Sequence, residues 1–271
     1  MAARAVTSVP RRLLDIGSGI GSVGLLTLWS LLHSPDVLAG TVQGPEGAAR
    51  AFIAPDADEA LTVSGRNRGS PSLVGVEIQA RSVHLARRTA SLNGLDGLVE
   101  FRHGDLRDPS ILAGEAPFAL VTGSPPYFPP SRAVRSPHPQ RAGARLELNG
   151  DVYDYCRVAA ANLAPGGRFC FCHAAADERP EKAIEAAGLR VHVRQDVVFR
   201  HGAAPLIALF VCAFTGEREE REDRPPFHVR DADGRWTAEY LEMRRVMGTV
   251  VWNPGTSPHS SGSETACSRG G

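Results

Sequence analysis

Ser124-Pro125-Pro126-Tyr127-Phe128, followed by Pro129-Pro130, is the segment of this 271-residue chain whose residue types point most directly to chemistry. Prolines fix the backbone, so the Ser124 hydroxyl and the Pro125 carbonyl can be aimed together at one donor group. The reaction such a pair serves is alkylation of an exocyclic amine or amide nitrogen, a poor nucleophile because its lone pair is delocalised. Acceptors directed at its hydrogens favour the geometry that frees the lone pair, and they strengthen as positive charge develops on nitrogen. No strong base is required. Tyr127 or Phe128 offers a ring on which a flat base can stack. The blander reading is a rigid proline turn with no chemistry.

A second set of residues supplies a place for the other reactant. Asp15-Ile16-Gly17-Ser18-Gly19-Ile20-Gly21 lets a chain leave a strand, bend tightly and present free N–H groups at a helix N-terminus. Gly19 to Gly24 also matches G-x-G-x-x-G, so a dinucleotide reading competes; it leaves the proline loop unexplained. Glu77 closes the next strand, where a carboxylate can accept both hydroxyls of a ribose. Asp105, in His103-Gly104-Asp105-Leu106, follows the third, where it can accept from an adenine amino group. Read structurally, Glu77 is a helix-capping acid and Asp105 an Asx-turn residue. Taken in order, Asp15 with the glycines, Glu77 and Asp105 span the amino-acid end, ribose and base of S-adenosylmethionine, whose sulfonium an aromatic ring of the loop can face.

The elements that must position these groups alternate. Strands are expected at 12–17, 73–77, 99–103, 118–121 and 168–173, with helices at 22–32, 81–93, 151–163 and 178–187 between or after them. Residues 189–199 and 206–214 read as an antiparallel closing pair, and 237–246 as a short helix. This pattern predicts an α/β fold with a doubly wound, mostly parallel seven-stranded sheet and an antiparallel edge in a single domain. Residues 1–11 form a short N-terminal extension to a domain over 12–214. Within it, 35–72 is proline- and glycine-rich without a sustained period and reads as an inserted loop. Residues 215–252 are a C-terminal extension opening on the charge run Glu217 to Arg224, and 253–271 are Ser/Gly/Pro-rich and expected to be disordered.

With these residues in view the chain resembles the class I S-adenosylmethionine-dependent methyltransferases that carry an N-P-P-Y type loop, nearest to the tRNA-valine adenine-N6 methyltransferases. The resemblance covers Leu13 to Gly21, Gly75 to Gln79 with Ala86 to Arg88 and Leu92 to Leu95, His103 to Leu106, Ser124 to Phe128, Leu163 to Phe169 and the tail Arg230 to Tyr240. It implies a Rossmann-like fold and S-adenosylmethionine held by Asp15, Gly17, Ser18, Gly19, Gly21, Glu77, Ile78, Asp105, Leu106 and Ser124. By the same likeness the target-amine acceptors are Ser124 and Pro125; with Pro126 and Tyr127 they make the candidate catalytic set, and the residues themselves offer Tyr127, Phe128, Arg132 and Arg135 as substrate contacts. Three features depart from the pattern: Ser124 stands where the family usually has Asn, a choice also found in cytosine-N4 methyltransferases; the segment before the first strand is about a dozen residues; and the insertion at 35–72 separates the glycine turn from Glu77.

Composition bounds the partners. Thirty basic against thirty acidic residues give zero net charge, so any RNA must be met by a local patch. Arg132, Arg135, Arg141 and Arg145, with His138 and the single acid Glu147, could form it by neutralising phosphates. Five cysteines without a C-x-x-C pair give no disulfide framework and no metal set, and fit a reducing, cytoplasmic setting. Cys170 and Cys172 read as core, His84 and His103 as structural or surface residues. Leu25 to Leu32, the longest apolar stretch near the N-terminus, is far below the roughly 20 residues of a membrane span. The expected activity is methylation of a nucleobase amine in RNA, adenine N6 in tRNA first. Glutamine-N5 methylation of a protein and a non-catalytic binding module are the competitors.

Overall fold

Burial on both faces of β1 (Arg12–Ile16) and β2 (Ser72–Glu77) explains why apolar residues stand at successive positions, Leu13-Leu14 and Leu73-Val74, instead of alternating with polar ones. The computed structural model describes residues 12–33, 72–132, 136–216 and 220–247. The remaining strands are β3 (Val99–His103), β4 (Phe118–Gly123), β5 (Leu163–Ala174), β6 (Leu189–Val198), β7 (Ile207–Phe214) and β8 (Glu222–His228). They form one sheet in the order β3-β2-β1-β4-β5-β7-β6-β8. The strands from β3 to β5 are parallel, β7 runs antiparallel to both β5 and β6, and β8 lies parallel to β6.

The helices are α1 (Ser22–His33), α2 (Ala80–Leu92), α3 (Pro139–Arg145), α4 (Val152–Asn162), α5 (Arg179–Ala186) and α6 (Ala238–Val246). Leu28 of α1 and Val83 and Ala86 of α2 pack with Leu13, Leu73 and Phe101 on one side of the sheet. Val152, Tyr155 and Ala159 of α4 and Ile184 of α5 pack with Leu14, Ile16, Phe169, Phe171 and Phe210 on the other. Neighbouring residues such as Leu13 and Leu14 thus feed opposite cores. Strand order reverses at β1, between β2 and β4, and that reversal opens a crevice at the strand carboxyl ends.

The α/β class, the parallel order and the antiparallel edge agree with the sequence, but the sheet has eight strands, not seven. The extra strand, β8, covers Glu222-Asp-Arg-Pro225-Pro226-Phe-His228, where charges and two prolines hide the pattern. An edge strand tolerates both, since its outer N–H groups need no partner and charge guards the open edge. The segment after Tyr127 also holds more order than its arginines announce: Pro139 starts α3, and Ala142 and Leu146 are buried beneath it. β5 begins at Leu163 rather than 168, with a register irregularity opposite Phe118 and Leu120. Of the expected insertion, residues 35–71 lie outside the described residues and Ser72 opens β2; the segments 1–11 and 253–271 also lie outside them.

Candidate functional site

A cleft of about 640 Å³ opens at the carboxyl ends of β1, β2 and β4. The glycine turn forms one wall, Glu77, Ile78 and Gln79 another, and Leu106 closes an end. Ser124 and Pro126 enter from the β4 side, with α3 across the top. Its size falls within the range of sites that enclose a small ligand.

The turn is built from strained positions that only glycine adopts easily. Gly17 has φ +64°, and a Cβ there would come 2.0 Å from the Tyr155 hydroxyl, so α4 packs against the turn only because no side chain intervenes. Asp15 is 2% exposed. Its Oδ2 accepts from the Gly24 N–H at 3.0 Å and its Oδ1 from the Thr122 hydroxyl at 2.7 Å. Burial pushes its carboxyl up to about 6, against the lowering effect of those two hydrogen bonds. Asp15 therefore ties β1 to α1 and β4 as well as lining the cleft. Ser18 lines it too, and its hydroxyl oxygen is buried without a protein partner.

Glu77 braces two backbone segments and also lines the cleft. Its Oε1 accepts from the Gln79 N–H at 2.8 Å, bracing the start of α2, and its Oε2 from the Gly19 N–H at 2.9 Å. Each oxygen keeps a lone pair, and the residue faces the cleft. Asp105 is placed differently. Its Oδ2 receives Arg107 Nη2 at 2.6 Å and its Oδ1 the Arg107 N–H at 2.9 Å, which hold its carboxyl below the usual range. Gly104 and Leu106, rather than the Asp105 carboxylate, contribute to the cleft wall.

Past β4 the chain turns through the prolines. Ser124 is exposed toward the cleft, Pro125 and Pro126 are buried, and Tyr127 turns away to lie over the tip of β5. The Tyr127 hydroxyl is 3.1 Å from Cys172 Sγ, and its ring centroid is 5.0 Å from that of His173. Burial, then Cys172, keeps the phenol well above its ordinary value, so it stays protonated. His173 is fully buried, and burial holds its imidazole below the ordinary value. Arg179 donates to the Tyr127 carbonyl at 3.3 Å and to Glu147 Oε1 at 2.7 Å while pairing with Asp177.

Phe128 is 38% exposed and forms a bridge with Leu146 through backbone hydrogen bonds to Arg145 and Glu147. The loop and the end of α3 are thus one unit. The Arg145 guanidinium lies 5.9 Å from the Phe128 ring centroid, while Arg141 and His138 line the cleft itself rather than a separate surface. The side chain of Arg132, and Arg135 altogether, lie outside the described residues.

Sequence reasoning missed Tyr155, Thr122, Cys172 and Arg179. Tyr155 and Thr122 look like ordinary core residues, and only the packing of Tyr155 from α4 against Gly17 and the hydrogen bond of Thr122 to Asp15 on the adjacent strand show what they hold. Among the described residues no group of His, Cys, Asp and Glu is arranged to hold a metal ion, and no helix is long and apolar enough to cross a membrane.

No family model and no curated protein matches this chain. Solved structures do. A ribosomal protein L11 methylase from Lactobacillus delbrueckii subsp. bulgaricus superposes with a TM-score of 0.44 at 13% identity over 80% of this chain and 74% of its own. TrmN from Thermus thermophilus gives 0.44 at 19% identity over 78% of this chain and 46% of its own. A protein from Agrobacterium tumefaciens described as a predicted O-methyltransferase gives 0.55 at 17% identity over 92% of this chain and 95% of its own, and with it the chain shares its α/β fold.

Proposed function

We propose that this chain is an S-adenosylmethionine-dependent N-methyltransferase acting on an exocyclic amine of a nucleobase in RNA, with adenine N6 in tRNA the first candidate. One observation carries the reading: Ser124 and Pro126 of the Ser-Pro-Pro-Tyr corner form a wall of the same cleft as the glycine turn and Glu77. A donor seated there lies beside the group that would receive a target amine. The shared fold with a protein described as an O-methyltransferase is compatible with this but does not choose the acceptor atom.

The residues present suit such a donor. Glu77 can accept from ribose hydroxyls, the unpartnered Ser18 hydroxyl can meet a polar group, and Gly19 leaves the turn open, since a Cβ there would meet nothing within 4 Å. S-adenosylmethionine supplies an electrophilic methyl group. The chain's part is to align the amine with it: Ser124 Oγ and the Pro125 carbonyl accept the amine hydrogens as the nitrogen gains charge, and positioning provides much of the acceleration. Ser124→Ala is expected to slow turnover by roughly 10- to 1000-fold.

The deciding experiment is mass spectrometry of nucleosides from bulk tRNA of cells with and without the gene. Loss of one N-methylated nucleoside supports the proposal. An unchanged nucleoside profile, together with methyl transfer to protein glutamine, would replace it.

A further inference from the structure

A serine at the head of this loop poses a chemical problem that an amide does not. An amide oxygen only accepts, whereas a hydroxyl carries a hydrogen that it can turn toward the target N–H, where it repels. For Ser124 to act as an acceptor, that hydrogen must be held elsewhere.

Cys172 Sγ lies 3.9 Å from Ser124 Oγ, within reach of a hydrogen bond to sulfur. The sheet fixes where that sulfur sits: Cys172 pairs with Leu209 of β7, and the preceding Phe171 pairs with Gly123, the residue before Ser124. Tyr127, 3.1 Å from the same sulfur, closes the other side and is held through its carbonyl by Arg179. Whether the tyrosine donates to sulfur or receives the thiol hydrogen, sulfur retains a lone pair for a second donor.

We infer that Cys172 is a positioning residue: its sulfur accepts the Ser124 hydroxyl hydrogen and so turns the Ser124 lone pairs toward the amine in the cleft. The inference rests on the assignment of Ser124 as amine acceptor. It gives the serine a reason to work where an amide needs no such partner, and it gives the thiol, otherwise a half-buried residue at the strand tip, a task at the site.

The test is a double-mutant cycle read as methyl transfer from radiolabelled S-adenosylmethionine to total tRNA from cells lacking the gene. Cys172→Ala should lower kcat by about 3- to 10-fold, the loss of one neutral hydrogen bond, with KM for RNA unmoved. Cys172→Ser, whose shorter C–O bond leaves its oxygen out of reach across the 3.9 Å gap, should stay nearly as slow as Cys172→Ala. In a Ser124→Asn background, Cys172→Ala should lose its effect. Independently of activity, the infrared S–H stretch of Cys172, isolated by difference against Cys172→Ser, should shift in Ser124→Ala. An equal penalty for Cys172→Ala in both backgrounds, or an S–H band indifferent to Ser124→Ala, overturns the inference alone. Absence of methyl transfer by the wild type, on RNA lacking the modification, overturns the parent reading and the inference with it.

Discussion

Thr122 donates its hydroxyl hydrogen to Asp15 Oδ1 across 2.7 Å, joining the carboxyl end of β4 to that of β1 beneath the candidate cleft. The contact sits beside the point where the sheet reverses order, so it fixes the two strands whose following loops must face one another. Both partners are buried, Asp15 at 2% exposure and Thr122 at 8%. A carboxylate placed there carries a cost that depends on pH.

Burial raises the Asp15 carboxyl from 3.8 to about 6 in the folded chain. Between those values the folded state holds a proton that the unfolded state has released, so this residue's contribution is full below pH about 4 and is lost as pH rises through about 6. Asn is neutral throughout and can still accept from the Gly24 N–H while donating to Thr122 Oγ. The stability of wild type minus that of Asp15→Asn should therefore fall across this window by an amount on the order of 2–3 kcal/mol. Urea unfolding of both proteins at several pH values measures it; a flat or rising difference counts against a proton on Asp15.

Gly17 and Tyr155 make a steric test. A methyl group at Gly17 meets the tyrosine hydroxyl and forces a left-handed backbone at φ +64° on a residue with a side chain. Gly17→Ala should cost roughly 2–4 kcal/mol. Adding Tyr155→Phe removes the nearest atom, though the ring carbon beneath it would still be 2.9 Å away. The double variant should regain only part of the loss, leaving the backbone strain. Full recovery in chemical denaturation would show that strain at the turn is negligible.

Much of this frame can be read from the sequence because its signals are local. Strand β3 runs over Val99–His103, as the alternation of residue types indicates, and Gly17 and Glu77 stand at the ends of β1 and β2, as the strand pattern places them. What escaped depends on which partner a side chain takes, whether near in the chain or far. Arg107, two residues on, pairs with the Asp105 carboxylate, a choice of partner that spacing does not reveal. Strand β8 is invisible to a hydrophobic pattern because its neighbour on one side is solvent. Arg141 resembles its fellow arginines in the sequence, and only the folding of α3 across the cleft shows that it lines the cleft wall.

Glu77 offers a test of the donor site. Gln in its place keeps the shape but puts an amide N–H₂ against either the Gly19 or the Gln79 N–H, two donors facing each other. One of the turn's hydrogen bonds must break, and an acceptor for ribose hydroxyls disappears with it. Glu77→Gln should weaken binding of S-adenosylhomocysteine by about tenfold or more, the equivalent of one or two lost hydrogen bonds to a charged group. Titration calorimetry reads this directly. Unchanged affinity would mean that the carboxylate serves the turn and not the ligand.

Arg179 and Glu147 decide whether the proline loop is held from outside the cleft. The guanidinium is 28% exposed, but Glu147 is only 8% exposed and receives it at 2.7 Å. Removing the arginine leaves a carboxylate largely out of water with its charge partner gone, and releases the Tyr127 carbonyl at the same time. Arg179→Met should therefore destabilise the protein by about 1–3 kcal/mol. Glu147→Gln added to it should recover part of that by removing the stranded charge, whereas Glu147→Gln alone should destabilise. If the loop depends on this strut and RNA is the substrate, as proposed, Arg179→Met will also raise KM for RNA while the affinity for S-adenosylhomocysteine stays near wild type, because the glycine turn and Glu77 are anchored by separate contacts. A loss of both affinities together would instead mean that the loop and the donor wall move as one body.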